Sequence, residues 1–252
     1  RFLTKRLNNH VLFKREDLQP VYSFKVRGAY NKIVNLSDED KAKGVIAASA
    51  GNHAQGVALA AAQLGIQATI VMPTTTPEIK VSSVAALGGI VVLHGDSFDD
   101  AYAYAQDLMD QHGYCFVHAY DDEDVIAGQG TVGMEILRQI SGPLDAVFVP
   151  VGGGGLAAGL SSVFKVLSPT TKIIGVEPAG APSMKTALEK NKNVRLASIE
   201  KFVDGAAVQQ VGELTFEICK ENLDDMMTVP EGKVCQTILD LYNKDAIVVE
   251  PA

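Results

Sequence analysis

Three short stretches combine residue types that could hold and transform a small charged molecule. Gly152, Gly153, Gly154 and Gly155 stand consecutively between an apolar run, Ala146 to Val151, and a small-residue stretch of helical period, Leu156 to Leu167. Each glycine in regular structure costs roughly 0.5 to 1 kcal/mol against alanine, so four in a row call for a compensating interaction. With no side chains in the way, successive backbone N–H groups form a concave nest at the positive end of the following helix, the geometry that accepts a phosphate. Each hydrogen bond to such an anion contributes about 1.5 to 3 kcal/mol. A tight turn explains one or two of these glycines but not four. A Walker A loop is excluded, because no Gly-Lys-Ser/Thr follows. Gly152-x-Gly154-x-x-Ala157 also satisfies a variant dinucleotide fingerprint, with Glu177 ending the next strand about 20 residues on, so a nicotinamide oxidoreductase is an alternative. The second stretch, Ser49-Ala50-Gly51-Asn52-His53, lies between another apolar run and a helix. His53, a lone histidine in a first helical turn, reads as packing or hydrogen bonding rather than as an acid or base. The third stretch is Ser23-Phe24-Lys25-Val26-Arg27-Gly28-Ala29-Tyr30, in which Lys25 taken alone reads as a snorkelling or surface charge.

The elements that must position these residues follow from periodicity. From Gly44 onward short apolar runs alternate with segments of helical period, the pattern of helices over a parallel sheet. Strands are expected over Gly44 to Ser49, Gln67 to Met72, Gly89 to His94 and Tyr114 to Val117. Helices are expected over Asn52 to Leu64, from Pro77, behind a Thr76 cap, to Leu87, and from Asp96 or Ser97 to Gly113. After a helix around Val125 to Ile140, a second series has strands Ala146 to Val151, Lys172 to Glu177, Met226 to Val229 and Ala246 to Glu250. Its helices are Leu156 to Leu167 and Glu231 to Tyr242. Ser37-Asp38-Glu39-Asp40 fits a capping box. The break near Gly128-Gln129-Gly130 marks the domain join. In open parallel sheets ligands bind beyond the carboxyl ends of the strands, and both the tetrad and the 49–53 stretch fall there.

Composition narrows the classes. The chain has 252 residues, 47% hydrophobic and 21% charged, within the globular range for one large or two ordinary domains. The net charge is −8, and no basic cluster suited to a phosphate backbone occurs, which argues against nucleic acid. Gly, Pro or a charge interrupts every apolar run before the ~18 residues a membrane span needs. Cys115, Cys219 and Cys235 have no C-x-x-C spacing; they suit a reducing compartment and read as small buried apolar side chains.

The segment 23–30, the run Ser49-Ala50-Gly51-Asn52-His53-Ala54-Gln55-Gly56 and the tetrad together resemble the pyridoxal-phosphate enzymes of the tryptophan-synthase-β type (fold type II). Within them the likeness is to the threonine dehydratase group. It extends through Lys14-Arg15-Glu16-Asp17, Val71-Met72-Pro73, Ala127-Gly128-Gln129-Gly130-Thr131, Val149-Pro150-Val151-Gly152 and Asp204-Gly205. The resemblance implies an α/β fold of two open, twisted, mainly parallel sheets flanked by helices, with the cofactor between domains. Residues 37–130 would form the smaller domain, and 1–36 with 131–252 the larger, cofactor-binding one. Lys25 would hold pyridoxal 5′-phosphate as a Schiff base and then act as the base, which asks for a pKa lowered by burial and a neighbouring cation. Gly152, Gly153, Gly154, Gly155 and Leu156 would carry the phosphate, Asn52 would meet the ring hydroxyl oxygen, and Phe24 and Gly205 would contact the cofactor. Ser49, Ala50, Gly51, Asn52 and His53 would receive the substrate carboxylate, their N–H groups suiting it as a helix terminus does. The reaction implied converts L-threonine to 2-oxobutanoate and ammonia, the first step of isoleucine biosynthesis, with L-serine as a secondary substrate. Proton donation to the departing hydroxyl falls by resemblance to the cofactor phosphate. Alternatives are a serine dehydratase or racemase-like enzyme and a non-catalytic cofactor-binding fragment. The expected assembly is a homo-oligomer, dimer or tetramer, without nucleic-acid or membrane partners. Its place is the cytoplasm, or a plastid or mitochondrion if a transit peptide has been removed.

The likeness has departures. Relatives carry Pro-Pro before Tyr/Phe-Asp where this chain has His118-Ala119-Tyr120-Asp121, which implies a looser loop. Racemase relatives that bind a divalent ion use a Glu and, six residues on, an Asp; here these are Glu177 and Ser183. No essential divalent metal is expected, and a monovalent ion stays open. Glu250-Pro251-Ala252 resembles the start of a Glu-Pro-Ser/Ala-Gly-Ala helix, so the sequence resembles an incomplete catalytic region. The serine that meets the pyridine nitrogen and any regulatory domain would lie outside it. Lys14-Arg15-Glu16-Asp17 leans toward the biosynthetic group.

Overall fold

A computed structural model describes residues 2–252. A short helix, α1 (Phe2–Leu7), a 3-10 turn at Glu16–Leu18, α2 (Lys25–Val34) and α3 (Asp38–Lys43) precede the first sheet. That sheet comprises β1 (Val45–Ala48), β2 (Ala68–Met72), β3 (Ile90–Leu93) and β4 (Cys115–Phe116), joined by α4 (Asn52–Gln63), α5 (Glu78–Ala86) and α6 (Phe98–His112). All pairings are parallel and the order is β3-β2-β1-β4. Strand period assigns alternate residues to opposite layers. Val45, Ala47, Ile70 and Met72 pack with Ala54, Val57, Ala58 and Ala61 of α4, whereas Ile46, Ala48 and Val71 pack with Ala101 and Ala105 of α6. Strands β2 and β3 are added on one side of β1 and β4 on the other, so the strand order reverses there and the loops after β1 and β4 open a crevice at the switch point.

Helix α7 (Glu123–Gln139) leads into the second sheet, β5 (Ala146–Pro150), β6 (Lys172–Pro178) and β7 (Asp225–Val229), in the order β5-β6-β7 and again parallel. Helix α8 (Gly155–Leu167) joins β5 to β6, α9 (Ser183–Glu189) and α10 (Glu213–Asn222) join β6 to β7, and α11 (Glu231–Asp245) follows. A separate core of Val149, Val151, Ala157, Leu160, Phe164, Ile173, Met184 and Phe216 closes this half.

The helix expected around Val125 to Ile140 forms as α7 and runs without interruption through Gly128-Gln129-Gly130. The glycine at 128 is there for close approach: a Cβ on Gly128 would lie 2.6 Å from the Arg27 carbonyl and the Gly28 Cα, so α2 and α7 touch backbone to backbone. Thr76 does not cap α5; Pro77 occupies the cap position, and the Thr76 hydroxyl is buried without a hydrogen-bond partner. No strand forms over Ala246 to Glu250. Ala246 adopts a left-handed conformation (φ 52) that ends α11 and redirects the chain, and Glu250 is drawn to Asn52 instead of a sheet edge. Of the cysteines, Cys219 is buried, Cys115 half-buried and Cys235 exposed, so the small-core-residue reading fails for the last. Among the described residues no helix is long and apolar enough to cross a membrane.

Candidate active site

The carboxyl ends of β1, β4 and β5 face one continuous cleft between the two sheets, lined by Lys25, Ser49 to His53, His118 to Tyr120 and Gly152 to Leu156. Its volume of 2420 Å³ far exceeds the ~300 to 1,000 Å³ of a closed small-ligand pocket, so it is an open trench. Lys25 is the first residue of α2, and close packing holds that turn from two sides. A Cβ on Gly56 of α4 would lie 3.0 Å from the Lys25 carbonyl carbon, and α7 abuts at Gly128. A third restraint is ionic. Arg27 reaches both oxygens of Glu16 (2.7 and 2.9 Å) and both oxygens of Glu135 (2.7 and 2.8 Å), and Lys14 adds a 2.6 Å contact to Glu135. Arg27 and then Lys14 pull the Glu135 pKa down to about 2.

From this clamped turn the Lys25 Nζ donates to the Ala119 carbonyl at 3.0 Å and lies 5.4 Å from the centre of the Phe24 ring. Burial lowers its pKa to about 8, and the nearby Glu250 carboxylate opposes the shift. The neighbouring charge is therefore a carboxylate, where a cation was expected; desolvation alone produces the drop. Glu250 also accepts from the Asn52 amide.

Two helix N-termini line the same cleft as this nitrogen. Helix α4 has Gly51 at its cap position, no capping side chain and no acid in its first turn. The amides of Ala50, Asn52, His53 and Ala54 meet no acceptor among the described residues, while the Gly51 amide is taken by Ser49 Oγ at 3.2 Å. Helix α8 begins likewise, with Gly154 at the cap position (φ 99), no capping side chain and no acid. The amides of Gly152 through Ala157 have no acceptor among the described residues. The Gly153 carbonyl, by contrast, is bonded on the far side, accepting from Thr215 Oγ1 (2.6 Å) and the Gly212 amide (3.2 Å). A Cβ on Gly153 would fall 2.2 Å from the Tyr120 ring, so bare backbone is required there. These donors could hold a phosphate at α8 and a carboxylate at α4, with an amine between them. The cradle and the amine therefore fit a phosphorylated aldehyde.

His53 is 4% exposed, and its Nε2 meets the Val117 carbonyl at 2.8 Å. Burial, followed by the charge of Lys25, pushes its pKa down to about 3, so the ring is neutral and donates to that carbonyl. Its imidazole ties α4 to the end of β4, and only its amide is left for a ligand. The loop 118–121 is not loose, contrary to expectation. His118 Nδ1 accepts from the amides of Tyr120 (3.3 Å) and Asp121 (2.8 Å). The Asp121 carboxylate in turn accepts from the amides of Glu213, Leu214 and Thr215, capping α10. Sequence reading named these residues as a departure from relatives without foreseeing that they pin the loop and receive the lysine. Gly205 reaches the cleft wall, where a Cβ would meet Ala252 at 2.8 Å. Glu177 is 1% exposed and accepts from the amides of Met184 (2.7 Å) and Lys185 (3.0 Å), capping α9. Burial raises its pKa to about 7. A carboxylate so engaged cannot read ribose hydroxyls, which removes the main support for a dinucleotide. Ser183 donates its hydroxyl to the Val208 carbonyl, and no cluster of three metal-ligating side chains occurs among the described residues.

Comparison with known proteins gives the same picture. Residues 1–252 match the family described as "Pyridoxal-phosphate dependent enzyme". The chain is 51% identical to "L-threonine dehydratase biosynthetic" of Halalkalibacterium halodurans over 253 residues, covering 99% of this chain and 61% of the relative. It is 53% identical to "Threonine dehydratase biosynthetic, chloroplastic" of Arabidopsis thaliana over 250 residues, 99% of this chain and 42% of the relative. It thus spans about half the length of the curated relatives it matches. The structure of the processed form of threonine deaminase isoform 2 from Solanum lycopersicum superposes with a TM-score of 0.97 at 51% identity, covering 99% of this chain and 73% of that one. With bare amides, buried lysine and full-length family match agreeing, the chain belongs to the pyridoxal-phosphate dependent enzymes.

Proposed function

We propose that this chain eliminates water from β-hydroxy amino acids, converting L-threonine to 2-oxobutanoate and ammonia and, as a secondary substrate, L-serine to pyruvate. The observation that carries this reading is the placement of Lys25 Nζ, in a cleft between two helix N-termini whose amides nothing caps. The 51–53% identity to biosynthetic threonine dehydratases supports the choice of substrate and a place in isoleucine formation. Pyridoxal phosphate, when bound, supplies the electron sink that makes the α-hydrogen of an amino acid removable. The amides of Gly152 to Leu156 hold the phosphate, supported by the positive end of α8. Lys25 Nζ would hold the cofactor covalently and, when free, would take the α-proton as a neutral base. A pKa of about 8 brings that neutral form within reach at physiological pH. Asn52, Phe24 and Gly205 would contact the cofactor, and the amides of Ala50 to His53 would orient the substrate carboxylate. A homo-oligomer is the proposed assembly. The plant relatives are named chloroplastic, which supports a plastid as one location; the cytoplasm is the alternative.

The test loads the chain with pyridoxal phosphate, reduces it with borohydride, digests it and locates the adduct by mass spectrometry, alongside an oxo-acid assay with L-threonine. The expected adduct is on Lys25, and Lys25→Ala loses both adduct and turnover. An adduct on another lysine overturns the assignment. A Lys25 adduct without oxo acid leaves a cofactor-binding fragment.

A further inference from the structure

We propose that the Nε2–H of His118 is the hydrogen-bond donor that recognises the β-hydroxyl of the substrate, making His118 a specificity-determining residue. This rests on the elimination reading above and adds to it the group that distinguishes a hydroxyl-bearing substrate.

The tautomer is set by the chain itself. Two backbone amides, Tyr120 and Asp121, donate to His118 Nδ1, so that nitrogen carries a lone pair and the proton sits on Nε2. That second nitrogen has no acceptor among the described residues, yet it is not one of the buried polar atoms sealed off without a partner, and the residue lines the cleft. The ring is fixed in place, edge-on to Tyr120 at 4.7 Å and tilted against Phe116 at 6.2 Å. The next residue, Ala119, supplies the carbonyl that holds Lys25 Nζ at 3.0 Å, so the same short loop carries the free donor and holds the reactive amine, both in the lining of one cleft.

The kind of group it suits follows from charge. Burial lowers the His118 pKa, with Lys25 adding to the effect and Asp121 and Asp122 opposing it, so the ring is neutral near pH 7. Protonating it would also break the two amide bonds that shape the loop. The helix N-termini of α4 and α8 already offer positive potential to carboxylate and phosphate. A neutral N–H is matched instead to a neutral oxygen, and on a β-hydroxy amino acid that oxygen is the hydroxyl. A fixed donor in a partly desolvated wall discriminates strongly against ligands that leave it unpaired.

Two substitutions separate the donor from the loop restraint. In His118→Asn the side-chain oxygen can still accept the loop amides from the Nδ1 position, but nothing remains at Nε2; His118→Gln restores a donor there and gives up the Nδ1 acceptor. Elimination from L-serine, which loses hydroxide, is compared with elimination from β-chloroalanine, which loses chloride. The expected result is a fall of about tenfold in kcat/KM for L-serine and L-threonine in His118→Asn, with β-chloroalanine unchanged, and partial recovery of L-serine turnover in His118→Gln. An equal fall for both substrate types, or no fall, overturns the proposal. A second readout needs no turnover: 15N NMR of the cofactor-loaded protein should show the Nε2–H tautomer, and its resonance should move with L-serine but not L-alanine. The other tautomer, or the same response to both amino acids, overturns the proposal. If the wild-type chain eliminates neither substrate, the elimination reading fails, and the NMR comparison still decides the role of His118.

Discussion

Helices α3, α6 and α7 begin in the opposite way from α4 and α8. Ser37 caps α3, Ser97 and Asp100 form a reciprocal capping box on α6, and Asp122 caps α7, each followed by acidic residues in the first turn. A carboxylate from outside the helix caps two more, Glu177 for α9 and Asp121 for α10, while α5 and α11 have proline at the cap position and a glutamate in the first turn. Helices α4 and α8 have glycine at the cap, no acid and no borrowed carboxylate. A side-chain N-cap contributes typically ~1 kcal/mol, so both cleft helices forgo stabilisation that their neighbours use. The difference teaches that the molecule leaves positive helix ends unsatisfied where anions must arrive, the local inconsistency expected of a functional site.

The largest expected break in this comparison comes from acid. His53 lies in the first turn of uncapped α4 with its pKa held at about 3, against 6.5 in an unfolded chain. The folded value is the lower one, so the unfolded state binds the proton first. The stabilisation is fully present above about pH 6.5 and is lost as pH falls toward 3, by about 1.4 kcal/mol for each unit within that window. On α6, by contrast, the hydrogen bonds from Ser97 hold the capping-box carboxylate of Asp100 below its ordinary value, so it keeps its charge as the pH falls through that window. Hydrogen exchange between pH 7 and 5 should therefore show α4 losing protection ahead of α6, and His53→Gln should remove the difference. Parallel loss in both helices would place the acid sensitivity elsewhere.

A smaller effect tests the other bare terminus. In Gly153→Ala the new methyl group would fall 2.2 Å from the Tyr120 ring, which is packed against His118 and cannot simply rotate away. Either the ring or the amide nest must shift, and the nest then loses one or two bonds to an anion, each worth about 1.5 to 3 kcal/mol. Titration with pyridoxal phosphate, followed by absorbance, should show affinity reduced by at least ~10-fold. Unchanged affinity would mean that the phosphate binds elsewhere.

Much of this arrangement was legible because it is local. Strand β1 was expected over Gly44 to Ser49 and occupies Val45–Ala48, and α8 was expected from Leu156 and begins at Gly155, since apolar period and glycine punctuation act within a few residues. The tetrad stood out through its conformational cost. Lys25 was ambiguous alone and became legible only beside the other two stretches. What sequence reading missed is non-local. The carbonyl that holds Lys25 belongs to Ala119, and the cap of α10 is Asp121, each more than ninety residues away in the chain. A backbone acceptor leaves no mark on residue type. The role of Gly128 was equally hidden: it permits the backbone contact with Gly28 that seats the lysine helix, a partner one hundred residues away in the chain. The run Ala246 to Glu250 read as a strand because a short apolar run does not reveal whether a sheet edge is available to it.

The finest test adds the missing cap. Gly51 precedes α4 with a negative φ (−129), and a Cβ there would meet nothing within 4 Å, so there is room for serine. Its hydroxyl would accept from an amide in the first turn, as Ser97 does on α6. Replacing a glycine cap by serine is worth only a few tenths of a kcal/mol, so the urea midpoint should rise slightly. The same hydroxyl would then compete for the N–H groups assigned to the substrate carboxylate. The KM for L-threonine should rise several-fold while cofactor affinity, which depends on α8, stays unchanged. The opposite signs carry the argument: if Gly51→Ser both stabilises the fold and leaves KM alone, α4 is bare for a reason other than carboxylate binding.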